Sequence, residues 1–168
     1  DGRLTMGSRT VVSGPVSGAT VNADSEVRIT GGITSKGELT LASRVAVTGP
    51  ISGTVIRADS GVNLNGSVTA TTSFVMASAS TLKGKVTAPV VRFEAESSQI
   101  EGDVTALTSL FLGTRTQLKG NVDAGDVTLG ATTAYISGTA LVKHITLEWD
   151  TRVYQTITCK AYTPSNPC

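Results

Sequence analysis

Glycine recurs at Gly14, Gly31, Gly49, Gly66, Gly84, Gly102, Gly120 and Gly138, always 17 or 18 residues after the last. Two positions before each stands an aliphatic residue: Val12, Ile29, Val47, Leu64, Leu82, Ile100, Leu118 and Ile136. Two positions after come Val16, Ile33, Ile51, Val68, Val86, Val104 and Val122, with Ala140 ending the series. Between the glycines lies a further apolar pair, such as Leu39/Leu41, Phe74/Met76, Val91/Phe93 or Val127/Leu129. A unit this short cannot hold a strand and a helix. It has room for three short alternating segments and three tight corners.

Units of this kind stacked at the ~4.8 Å strand spacing form parallel sheets, with each inward side chain over its counterpart one turn below. No unit buries its apolar side alone, but the stack does. The spacing therefore predicts an all-β fold, a three-sided parallel β-solenoid of about nine coils over residues 1–158, with little or no helix. Val and Thr suit its strands and the 18 Gly suit its turns. A strict six-residue aliphatic spacing, the mark of left-handed solenoids, is absent, because Val86 is followed at six and twelve by Arg92 and Ser98. Parallel crossovers are otherwise right-handed, so a right-handed column is expected.

A longer period overlies the first. "LTMGSRTVVSGP" from Leu4 and "LTLASRVAVTGP" from Leu39 are 35 residues apart, and Phe74, Leu110 and Ile145 follow at 35, 36 and 35. The segments "GPVSGATVNADSEVRITG" (Gly14–Gly31) and "GPISGTVIRADSGVNLNG" (Gly49–Gly66) repeat at the same distance. The expected unit is thus two coils, alternate coils reaching their apolar pair one residue sooner.

The pattern changes over 139–158, where "HITLEWDTRVYQTITC" begins at His144. Trp149 and Tyr154 stand where earlier coils carry small or aliphatic residues, which predicts a C-terminal capping coil. The only cysteines, Cys159 and Cys168, would close residues 159–168 into a disulfide-clasped tail if the compartment is oxidising. Two reduced thiols in a cytosolic chain remain the alternative. The first residues already belong to the repeat with no capping device, so more chain is expected before Asp1. The 14 basic against 13 acidic residues give no electrostatic case for nucleic acid, and no apolar run is long enough for membrane insertion.

The stretch "GDVTALTSLFLGTRTQLKGNVDAGDVTLG", Gly102–Gly130, resembles the repeats of the bactofilin family of polymer-forming β-solenoids, and the likeness runs along nearly the whole chain. The pattern is also similar to the solenoid region of exported proteins tied to mannose-sensitive haemagglutinin-type pili. The first resemblance implies a cytoplasmic filament joined end to end through apolar terminal coils. The cysteine pair and the aromatic C-terminal coil depart from it and favour the exported group, with an extracytoplasmic location.

No catalytic, cofactor-binding or metal constellation stands out. His144 has no Cys or second His nearby, and catalysis or metal binding needs partners. Asp24 and Asp59 match in "NADS" and "RADS" but are two coils apart, too far to share a cation. Glu94, Glu96, Glu101 and Asp103 are the densest acidic group, and a Ca²⁺ site or a glycosidase acid/base pair is weighed there against a solvated face. Arg57 and Arg92, two coils apart, build no glycan-cleaving cluster. Ser17, Thr34, Ser52, Thr69, Thr87 and Thr105 are expected to form an outward ladder. Ice binding uses such rows, but the neighbouring row is mixed (Pro15, Gly32, Pro50, Ser67, Lys85, Asp103) and the ladder stops at Asp123, as ordinary strand chemistry would allow. The expectation is a non-enzymatic scaffold or spacer without cofactor. Its partners would be flanking domains of a larger parent or other surface or pilus components, with self-association and a glycan ligand as further options.

Overall fold

Apolar residues alternating with polar ones form half-buried strands, and the computed structural model, which describes residues 2–94 and 96–160, has 22 of them among those residues, two to nine residues long. No helix occurs among the described residues. The protein is a parallel β-solenoid of nine coils, each contributing three segments in the same order. The first coil holds Arg3–Met6, Val11–Ser13 and Val16–Gly18. The ninth holds His144–Leu147, Arg152–Val153 and Ile157–Cys159. All pairings are parallel, and the middle segments are in register throughout, for example Val11↔Arg28, Ile29↔Val47, Leu64↔Leu82 and Ile100↔Leu118. At ~4.8 Å per coil the rod is about 40 Å long.

The middle segments make one nine-stranded sheet, and the other two rows merge into a 13-stranded sheet. They merge because the third segment of one coil runs without a break into the first segment of the next, as in Ile51–Ala58, Val68–Met76 and Val104–Leu112. Three tight corners were expected. The structure has two turns and, from Ile51 to Leu129, a bend inside a continuous strand. The inner side of that bend is narrow and takes small side chains, namely Ala70, Ala88, Ala106 and Ala124, all at most 3% exposed.

The bend also differs between neighbouring coils. Pairing steps from Gly53 to Val55 in one strand but from Ala70 to Ser73 in the next. It then steps from Ala88 to Val90 and from Ala106 to Ser109, and back to a short step from Ala124 to Asp126. One residue (Thr54, Pro89, Gly125) thus alternates with two (Thr71 and Thr72, Leu107 and Thr108). Each two-residue bend acts as a bulge against its one-residue neighbours.

A coil points up to six side chains inward. In the coil after Gly84 these are Val86, Ala88, Val91, Phe93, Ser98 and Ile100, every one at most 1% exposed. The two core phenylalanines are staggered rather than stacked. Phe74 and Phe93 lie in adjacent columns, and their rings meet edge-on at 5.9 Å and 86°, a favourable aromatic geometry. The core runs from Met6 to Val142 without interruption, and among the described residues no buried side-chain polar atom lacks a partner.

The two turns work differently. Ahead of the nine-stranded sheet, every coil holds a left-handed residue, with φ between 54° and 71°: Arg9, Glu26, Arg44, Gly61, Ala79, Ser97, Arg115, Thr133 (with Thr132 beside it at 69°) and Asp150. Only one of these is glycine. The left-handed residue turns its successor inward, so Val27, Val45, Val62, Ser80, Ser98, Thr116 and Ala134 are buried. The hydroxyl of Ser80 is satisfied there by Val62 N (3.1 Å) and Asp59 O (3.2 Å). The other turn carries the recurrent glycines, with φ of 121° to 158° from Gly14 to Gly102. From Gly31 to Gly138, a Cβ would fall within 3.0 Å of backbone in the coil below, whereas at Gly14 nothing lies within 4 Å. The glycines are therefore a spine of backbone packed on backbone, and Gly14 is its open end.

Four substitutions test these turns in denaturant melts. Gly84→Ala must both strain its φ and displace the backbone of Gly66, and it is expected to cost over ~4 kcal/mol. Gly14→Ala meets only the strain, about 1–3 kcal/mol; equal losses would show that stacking contributes nothing. Ala79→Gly relieves a left-handed alanine and should raise stability by about 0.5–1 kcal/mol. Ala77→Gly, at a position with no left-handed backbone, should lower it.

Candidate functional site

On a solenoid the side chains free to act are the outward ones, and register sets which of them meet. Ser17, Thr34, Ser52, Thr69, Thr87 and Thr105 stand opposite one another in successive coils. Asp123 and Leu141 continue the column. Ser52 Oγ donates to Thr34 Oγ1 at 3.4 Å, a weak link. The ladder is an in-register row whose hydroxyls face outward.

His144 is exposed, with Nδ1 2.8 Å from Asp126 Oδ1. Ser109, Asp126 and His144 occupy one outward column in that order. A nucleophilic triad needs imidazole between hydroxyl and carboxylate. Here the carboxylate is in the middle, so within this column His144 has no serine to activate.

The acidic residues are dispersed and individually bonded. Glu94 pairs with Arg92 at 2.9 Å, and Glu96 pairs with Arg115. Glu101 lies between Lys83 (3.3 Å) and Lys119 (3.7 Å), and Asp103 Oδ1 accepts the Asn121 N–H at 2.8 Å. Glu94 and Glu96 lie at the left-handed turn, Glu101 and Asp103 at the glycine turn, towards opposite ends of the Gln99–Glu101 strand. Asp24 and Asp59 fold back on their own turns, accepting the N–H of Ser25 (3.0 Å) and Ser60 (2.8 Å). Asp59 also accepts from Ser43 Oγ at 3.2 Å. Among the described residues no group of three or more His, Cys, Asp or Glu could hold a metal ion. Arg57 and Arg92 are separated in their column by Val75. Arg57 binds Glu38 at 3.3 Å, and Arg92 lies 4.8 Å above the centre of the Phe111 ring.

The two aromatic residues expected to cap the column do not cover its end. Val153 points inward, so by strand alternation Tyr154 points out and is 59% exposed. Trp149 sits in the last left-handed turn beside Asp150 and is 76% exposed. At the same end Leu147 and Ile157 are 45% and 39% exposed. Cys159 lies on the last strand, whereas its expected partner Cys168 and the tail 161–168 lie outside the described residues.

Gln117, Thr133, Tyr135, Asp150, Arg152 and Tyr154 line a shallow groove of about 180 Å³ on the outer face of the nine-stranded sheet. Arg152 stands directly over Tyr135 in register. Tyr154 lies diagonally beyond, its ring 5.4 Å from Tyr135 at 81°. Tyr135 Oη donates to Gln117 Oε1 at 2.9 Å, and the Arg152 guanidinium is 3.6 Å from Asp150 Oδ1. The available signal was that two tyrosines 19 residues apart both fall on outward positions of adjacent coils, close to the 17-residue step between Tyr135 and Arg152. Comparison with protein-family models, curated proteins and solved structures finds no match for this chain.

Proposed function

We propose that the chain is a non-enzymatic structural module, a rigid β-solenoid rod that spaces or presents other parts of an exported bacterial surface or pilus-associated protein. The observation that carries this reading is the uninterrupted core from Met6 to Val142, clamped by the glycine spine along the axis. Parallel ladders in all rows resist bending, since any hinge would have to open main-chain bonds in both sheets. The outward charged groups are mostly spent on one another across coils, as in Arg9–Glu26–Arg44 (3.1 and 2.9 Å) and Lys83–Glu101–Lys119. A disulfide between Cys159 and Cys168 fits the export reading, because it would tie the tail to the last coil in an oxidising compartment.

A second reading is favoured by the last coil. Its strands have one unpaired edge among the described residues, and Leu147 and Ile157 are exposed beside it. End-to-end self-assembly in the manner of bactofilins would cover both.

Electron microscopy with sedimentation over a concentration series separates the two. The spacer reading expects monodisperse rods about 40 Å long at every concentration; filaments that lengthen with concentration would replace it with the polymer. Reductant is expected to lower the melting temperature while leaving the far-ultraviolet spectrum of the folded rod unchanged. Identical melting curves with and without reductant would remove the clasp.

A further inference from the structure

We infer that the groove lined by Tyr135, Tyr154, Asp150 and Arg152 binds a single neutral pyranose ring, such as a residue of a surface polysaccharide. This inference concerns one patch of the outer face and does not depend on the scaffold reading.

The groove is built and held before any ligand arrives. Tyr135 is fixed by its bond to Gln117 and by its place in the sheet, and Tyr154 is set edge-on against it. Edge-on packing leaves a flat face of the Tyr154 ring open, consistent with its 59% exposure. Such a face is apolar, and the C–H face of a pyranose is the matching surface on a hydroxyl-rich ligand. Ordering costs that usually weaken a shallow site are reduced, because these rings need not be immobilised on binding.

Beside the ring stand one carboxylate and one guanidinium. The 3.6 Å between Asp150 and Arg152 exceeds hydrogen-bond length, so both keep bonding capacity. Asp150 offers an acceptor and Arg152 offers donors side by side. Vicinal hydroxyls, each both donor and acceptor, can satisfy the two together. The paired charges cancel, so an anionic ligand gains at Arg152 what it loses at Asp150. An apolar ligand would strip water from both without replacing the bonds. The volume of about 180 Å³ is well below the ~300–1,000 Å³ of pockets for drug-sized ligands, and suits one ring lying on an open surface.

The test uses the full chain labelled with ¹⁵N, titrated with methyl β-glucopyranoside, methyl β-galactopyranoside, methyl α-mannopyranoside and N-acetylglucosamine, with inorganic phosphate as the charged comparison. At least one of the sugars is expected to move the amide signals of Thr133, Tyr135, Asp150, Arg152 and Tyr154 in a saturable way, with Kd of about 1–10 mM. Tyr154→Ala should weaken binding about tenfold or more, Tyr154→Phe should retain it, and Asp150→Asn should weaken it. Arg57→Ala, on another face, should leave it unchanged. Spectra of each variant report whether the rod is still folded. The inference is overturned if none of the sugars shifts these amides up to ~100 mM, far above the expected Kd. It is equally overturned if folded Tyr154→Ala binds as the parent does, or if phosphate binds the same residues more tightly than any sugar.

Discussion

The contact on which the rest of the structure depends is between glycine backbones. At one turn of every coil from Gly31 to Gly138, the chain lies so close to the coil beneath that no side chain fits between them. That approach allows the N–H of Gly84 and of Val86 to reach Glu101 O and Asp103 O, both at 2.9 Å, and the same pair of bonds recurs at Gly49 and Ile51. The two sheets on either side of the turn are therefore held at one common rise. A residue with a Cβ would wedge the turn open, and the parallel ladders of both sheets would lose register together. This explains why the glycine is the least variable element of the repeat while its neighbours range over Pro, Ser, Lys, Asp and Asn.

The opposite turn shows how differently the same geometric demand can be met. It needs a left-handed residue in each coil, yet arginine, glutamate, alanine, serine, threonine and aspartate fill that role. Here the side chain lies on the outer surface, where Arg9, Glu26 and Arg44 pair across coils, and no Cβ is driven into backbone, so the cost is only local strain of about 1–2 kcal/mol per residue. Such strain persists because the turn N–H of each coil but the last is bonded to the next coil, as Ala79 is to Glu96 at 2.9 Å. Stacking supplies what the local sequence does not.

This difference decides what could be read in advance. The inward columns were legible, since Val86, Val91, Phe93 and Ile100 announce themselves by alternation and by distance from a glycine. The left-handed turns were not, because their residues carry no glycine signal and their conformation is imposed by neighbouring coils. The continuity of the strand from Ile51 to Ala58 was not legible, because a unit of three short segments implies a corner between each pair. In the structure Gly53 is buried inside a bend, where its lack of a side chain answers a shortage of space. Tyr154 was misplaced for a related reason: an unusual residue near the end suggests a cap, but strand parity sends it outward. The groove escaped notice because its members are spread over 38 residues and meet only through register across three coils.

The alternating bend sets a rule for how such a rod can change length. A one-residue bend always sits on a two-residue bend from Gly53 through Asp126, so two neighbouring coils are not interchangeable there, but every second one is. Deleting or duplicating a single coil would set like upon like and leave a bulge without its complement. Adding or removing a pair restores the sequence of interfaces unchanged. The rod is thus a ruler graduated in steps of two coils, about 10 Å each, and the near-identical stretches after Gly14 and Gly49 are successive marks on it.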